Sequence, residues 1–235
     1  MDDNNQHHIR RNGEVTAPGL LRSTGIFAIM AGLLYIVIQL IHPPDQLSAV
    51  PSTAWIVVAC LSMVMSLFFL IGLLGMYLKQ VKEVGWLGLI GFILFSLFWL
   101  LSMAFGFMEA FVLPLITDNA PKVVEGITGI FGGGVREVEL GFLPVLAPIA
   151  GVLYLLGGLV FGIATYRARV LPRQAAALLA FGAVVTLAAA VIPHPVDRIL
   201  AVPTGLAFIW LGYRLWSEHE SKAEARDLQS TQINA

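Results

Sequence analysis

Six apolar runs, at about 20–41, 54–78, 86–113, 140–166, 174–193 and 198–216, dominate this chain. A helix needs roughly 20 apolar residues to cross a hydrocarbon layer ~30 Å thick. Lipid offers backbone groups no hydrogen-bond partners, so only helices or closed barrels span it. No strand-like alternation recurs over comparable lengths, which sets the barrel aside. The expectation is an all-α polytopic bundle of six transmembrane helices arranged as three hairpins. The third run exceeds the minimum and is expected to tilt or project, while the fifth and sixth are near it. A charged fraction of only 12% excludes an ordinary soluble domain. The division that follows is a tail at 1–19, a transmembrane domain at 20–216 and a second tail at 217–235. The second tail is expected to extend the last helix briefly and then fray.

Lysine and arginine set the orientation. Arg10, Arg11 and Arg22 precede or open the first run, and Lys79 and Lys82 follow the second. Arg167, Arg169 and Arg173 fill the fourth–fifth turn, and Arg214, Lys222 and Arg226 lie at or beyond the end of the last run. The alternate turns are poor in basic residues, so the positive-inside rule predicts both termini in the cytoplasm. Tyr77, Trp86, Tyr166, Tyr213 and Trp216 fall at the predicted inner ends and Trp55 at an outer end, as interfacial aromatics do. Trp99 and Trp210 are mid-span and read as packing residues. Recurrent glycines (Gly85, Gly88 and Gly91, then Gly158 and Gly162) read as close helix contacts.

The scarce polar residues concentrate in two turns. His42-Pro43-Pro44-Asp45-Gln46-Leu47-Ser48-Ala49-Val50-Pro51 is echoed by His194-Pro195-Val196-Asp197-Arg198-Ile199-Leu200-Ala201-Val202-Pro203, identical at six of ten positions. Both copies occupy outer turns, which suggests a duplicated hairpin related by an axis along the membrane normal. Proline disfavours helical geometry in the residue before it, so each helix should stop near its histidine. Asp45 and Asp197 are then expected to cap the helices that follow. Pro203 would fall about two turns inside the sixth helix and kink it.

Glu109, inside the third run, is costly in lipid unless it faces water or a partner. His42 and His194 end the other outward helices, and Arg136, Glu137 and Glu139 precede the fourth run on the same side. These groups are expected to converge on one outer vestibule, with His42, His194, Glu109, Arg136, Glu139, Asp45 and Asp197 as its candidate ligand- or proton-binding residues. A salt bridge from Glu109 to Arg136 or Arg198 is the purely structural account. A small solute or a proton is the functional guest proposed, since histidine titrates near neutrality. The alternatives are a membrane-embedded metal- or haem-dependent enzyme on the same residues, or a non-catalytic subunit of a membrane complex.

Other classes are excluded. Cys60 is the only cysteine, which removes disulfides within the chain and cysteine-based zinc sites. No basic patch interleaved with aromatics supports nucleic-acid binding. Nucleophile-elbow, phosphate-loop and H-E-x-x-H signatures are missing, so no catalytic residue and no cofactor is assigned. The segment Val123–Phe131 is apolar enough to lie at the interface, followed by a glycine hinge at 132–134. Besides the lipid bilayer, nothing in the sequence sets a partner subunit or an oligomeric state.

The run Gly162-Ile163-Ala164-Thr165-Tyr166-Arg167-Ala168-Arg169-Val170-Leu171-Pro172-Arg173 resembles the cytoplasmic turn of many bacterial multispan proteins in domain-of-unknown-function families. The layout from Thr24 to Trp216 is similar to theirs. The resemblance implies a bacterial cytoplasmic membrane and a six-helix bundle, and it carries no activity or site residues.

Overall fold

The computed structural model describes residues 16–132, 138–190, 192 and 196–233, with side chains left out at 131, 132, 190 and beyond 217. Among the described residues all regular structure is helical. The order is α1 (Ala17–Ile41), α2 (Thr53–Lys79), α3 (Val81–Phe107), a π-helical turn at Met108–Val112 and α4 (Leu113–Ile116). Then follow α5 (Pro121–Gly132), α6 (Leu143–Ala168), α7 (Arg173–Val185), 3-10 turns at Thr186–Ala190 and Val196–Ala201, and α8 (Val202–Ile233).

Five helical stretches are long and apolar enough to cross a membrane: Ala17–Ile41, Thr53–Lys79, Val81–Ile116, Leu143–Ala168 and Val196–Ser217. The fifth expected run is shorter, an apolar helix over Arg173–Ala189. It tightens from Thr186, whose hydroxyl donates back to the Ala183 carbonyl at 2.7 Å. The long third run does continue, through α4 to Ile116.

The helices close into a ring. α1 packs between α2 and α8, α3 between α2 and α6, and α7 between α6 and α8. Three antiparallel hairpins therefore meet head to tail. Small residues permit the close approaches: a Cβ on Gly32 would collide with the Gly205 carbonyl, and one on Gly91 with the Phe161 backbone. Gly85 adopts φ +55°, ψ −154°, a region open only to glycine, and it separates the first turn of α3 from the rest. Inside the ring, Phe69 stacks on Trp99 with centroids 3.6 Å apart, and Phe95, Phe208 and Tyr154 complete an aromatic centre. Exposed leucines, isoleucines and valines cover the outside of the ring, as a lipid-facing surface requires.

Several local expectations change. α2 starts at Thr53 because Ser52 caps it, accepting from the Trp55 N–H at 3.2 Å, so Asp45 is not its cap. Asp197 lies in the 3-10 turn at Val196–Ala201, and α8 begins at Val202. Pro203 thus occupies the first turn, where a missing N–H costs nothing, and no mid-helix kink arises. Trp55 is only 2% exposed and is no interfacial anchor. Trp86, at 80%, fits an interfacial role, whereas Tyr77 stacks on Phe92 and Trp210 faces outward instead of packing inside. α8 continues to Ile233, well past a brief extension. The apolar segment near Val123 is helical α5, and its Val124 and Ile127 pack on Val50, Trp55 and Leu113 in a second small core.

Candidate functional site

The π turn at Met108–Val112 has a local cause. Pro114 has no N–H and its ring would clash with the Ala110 carbonyl four residues back in a regular α-helix. The turn widens, and the Leu113 N–H bonds to the Met108 carbonyl instead of that of Glu109. A continued π pattern would need a donor at position 114, which proline lacks. The Glu109 carbonyl is therefore left without a helical donor, and the Trp55 indole N–H supplies one at 3.2 Å. Widened turns of this type re-aim side chains and recur at functional sites. Here the residue inside the turn is Glu109.

The end of the bundle that holds this turn lies opposite both ends of the described chain. It contains a cavity of about 410 Å³. α1 contributes Tyr35, Ile38 and Gln39, with His42 at its C-cap; α3 contributes Phe98, Leu101, Ser102, Phe105 and Gly106, with Glu109 just beyond. Both sets follow the three-and-four spacing of one helix face. α2 adds Ser62 and Met65, α6 adds Ala150, and the two repeated turns add Asp45, Asp197 and Arg198. From Glu109 down to Phe98 is 11 residues along a helix, so the lining on α3 extends over about 16 Å.

At the mouth, the second repeat holds the first. Arg198 donates from Nη1 to the His42 carbonyl at 3.1 Å and from Nη2 to Asp45 Oδ2 at 3.0 Å. His42 Nδ1 lies 2.7 Å from the Pro43 carbonyl and 3.9 Å from Asp45 Oδ1. An Nδ1 that donates to Pro43 leaves the neutral ring's lone pair on Nε2. The imidazole also meets the Trp55 ring edge-on at 5.7 Å. Glu109 is half-buried and its carboxyl has no ion-pair partner among the described residues. The structural account of Glu109 therefore fails for Arg198, whose ion pair is with Asp45.

Deeper, fully buried Trp99 lines the wall, and its indole N–H has no hydrogen-bond partner among the described residues. Ser66 donates to Ser102 at 3.3 Å, and the Tyr154 hydroxyl pairs with Thr204 at 2.7 Å. A second cavity of about 500 Å³ shares Tyr35, Phe98 and Ala150 with the first, and α6 lines most of the remainder with apolar side chains.

Of the residues expected to converge, His42, Asp45, Glu109 and Asp197 line this cavity. Glu139 is exposed and does not. His194, Arg136 and Glu137 lie outside the described residues. Tyr35, Gln39, Phe98 and Ser102 are further lining residues not assigned to the site from the sequence, though each sits one, two or three helical turns below His42 or Glu109 on the same face. That spacing is a usable signal. Among the described residues, no group of three or more His, Cys, Asp or Glu side chains is placed to hold a metal ion. No protein-family model matches the chain, nor does any curated protein or solved structure.

Proposed function

We propose that this chain is a six-pass membrane protein, both termini cytoplasmic, whose outward-facing cavity binds a small solute and serves its binding or translocation. Glu109 is the ionisable anchor of the site. His42 and Asp45, held by Arg198, shape the mouth. The observation that carries the reading is a half-buried carboxyl without an ion pair among the described residues, lining a cavity of about 410 Å³. A carboxylate within an apolar helix is retained only where water, a counter-charge or a proton offsets its charge.

The length of the fifth run supports the six passes. α7 with the 3-10 turn after it comprises 13 and 5 residues. At the rises of the two helix types this is about 30 Å, enough to cross. The alternation of basic turns supports the cytoplasmic termini.

The test is ligand-induced thermal stabilisation of the purified full-length chain in detergent, against a panel of small amines, carboxylic acids, sugars and amino acids. At least one compound should raise the midpoint of wild type, and Ser102→Phe, which fills the cavity, should abolish that shift. A panel with no stabilising compound, or stabilisation indifferent to Ser102→Phe, overturns the reading.

A further inference from the structure

We propose that the cavity takes a monovalent organic cation with an apolar body, in exchange for the proton on Glu109. This deepens the solute-binding reading and rests on it. The charge balance at the mouth comes first. Among the described residues, the lining holds three carboxyl groups, Asp45, Asp197 and Glu109, and one guanidinium, Arg198. That guanidinium is already committed to Asp45 and to the His42 carbonyl. Among the described residues that line the cavity, the Glu109 carboxyl is the group left without an ion pair, and it selects a guest of opposite charge.

The walls come second. Below Glu109, the rings of Phe105, Phe98, Trp99 and Tyr35 line the space, and the adjoining apolar cavity extends it. A cation over aromatic faces gains about 0.5–2 kcal/mol beyond its apolar contacts, more as it is desolvated. A sugar would need a dense set of hydrogen-bonding groups, and this wall offers few. A metal ion would need three or more hard or imidazole ligands, and no such group exists among the described residues.

Proton exchange follows from the missing counter-charge. A half-buried carboxyl is neutral when protonated, or paired when a cation sits beside it. As the cation enters, the Glu109 O–H bond breaks, the proton leaves to water, and the guest's positive charge replaces it one for one. Among the described residues, the other titratable or charged groups of the cavity around Glu109 are Tyr35 from α1, His42 and Asp45 from the α1–α2 turn, and Asp197 and Arg198 from the turn before α8; those of α2 and α6 that line it are uncharged. Protons compete with the cation, so affinity should rise with pH until Glu109 is fully ionised.

The experiment is titration calorimetry of the full-length chain in detergent, with phenyltrimethylammonium and its neutral isostere tert-butylbenzene, in two buffers of different ionisation heat. The cation should bind at least tenfold tighter than the isostere and release close to one proton. Glu109→Gln should lose tenfold or more in cation affinity and all proton release, while Glu109→Asp should retain release, which separates chemistry from misfolding. Equal binding of both compounds, unaffected by Glu109→Gln, overturns the cation class and leaves solute binding standing. Cation binding without proton release overturns the exchange. Binding of neither compound, in a protein that a panel amino acid or sugar stabilises, also overturns this inference alone; with no stabilising compound at all, both readings fall.

Discussion

Arg198 of the second repeated turn and Asp45 of the first are joined Nη2 to Oδ2 at 3.0 Å across the mouth of the bundle. The same guanidinium holds the His42 carbonyl, so one side chain ties the end of α1 to the start of α8. Both partners are largely shielded from solvent, which raises the value of the pair above that of a surface ion pair. Arg198→Ala should lower unfolding stability by about 1.5–3 kcal/mol, the range for charged hydrogen bonds. Asp45→Asn in that background should cost much less than in wild type, because the partner is already gone. Thermal melts of the four variants in one detergent measure the coupling, and additive losses would mean the two groups do not interact.

A second prediction concerns the π turn. Trp55→Phe removes the donor to the Glu109 carbonyl and should destabilise by about 1–3 kcal/mol. Pro114→Ala restores an N–H and removes the clash, so the turn can return to α geometry and satisfy that carbonyl itself. The double variant should recover part of the loss of Trp55→Phe. The check is again a melt series, and a double variant worse than either single change would refute this origin of the turn.

Helix contact gives a third. Gly32→Ala drives a methyl group into the backbone of α8 and should cost about 1–3 kcal/mol as an overpacking change. Gly151→Ala meets no atom within 4 Å and should be neutral or slightly stabilising. Equal effects at the two glycines, measured by retained monodisperse protein after heating, would remove close packing as the reason for the α1–α8 approach.

A fourth follows from the backbone at Gly85. Its φ of +55° with ψ −154° excludes a side chain without strain of order 1–3 kcal/mol. No atom lies near a built Cβ, so the cost of Gly85→Ala is conformational and not steric contact. Gly88→Ala, which instead meets Val84, serves as the contrast. A tolerated Gly85→Ala would show that the start of α3 can relax.

The helical class was legible because apolar runs of membrane length leave few alternatives, whereas Gly85, expected at a close helix contact, has no atom near a built Cβ and instead turns the backbone. His42 and Glu109 line one cavity, and the proline that follows one and the helix that carries the other are the features in the sequence that pointed to both. Less was readable where tertiary contact decides. Ser52 and Asp45 are both competent caps, and only the reach of Arg198 across the ring assigns Asp45 elsewhere. Trp55 has the position of an interfacial residue but is drawn inward by a carbonyl that Pro114 orphaned 54 residues away. The shortened fifth run hides in an alanine-rich stretch whose hydropathy does not distinguish α from 3-10 geometry.

The central claim is that Glu109 and the stripe below it line a water-accessible cavity open on the side opposite both termini. Ser102→Cys in a Cys60→Ala background tests it, with a membrane-impermeant methanethiosulfonate reagent applied to sealed vesicles of known orientation. Modification from the side away from the termini, slowed when a cavity ligand is present, is the predicted result. No modification from that side, or modification only from the side of the termini, would contradict the account.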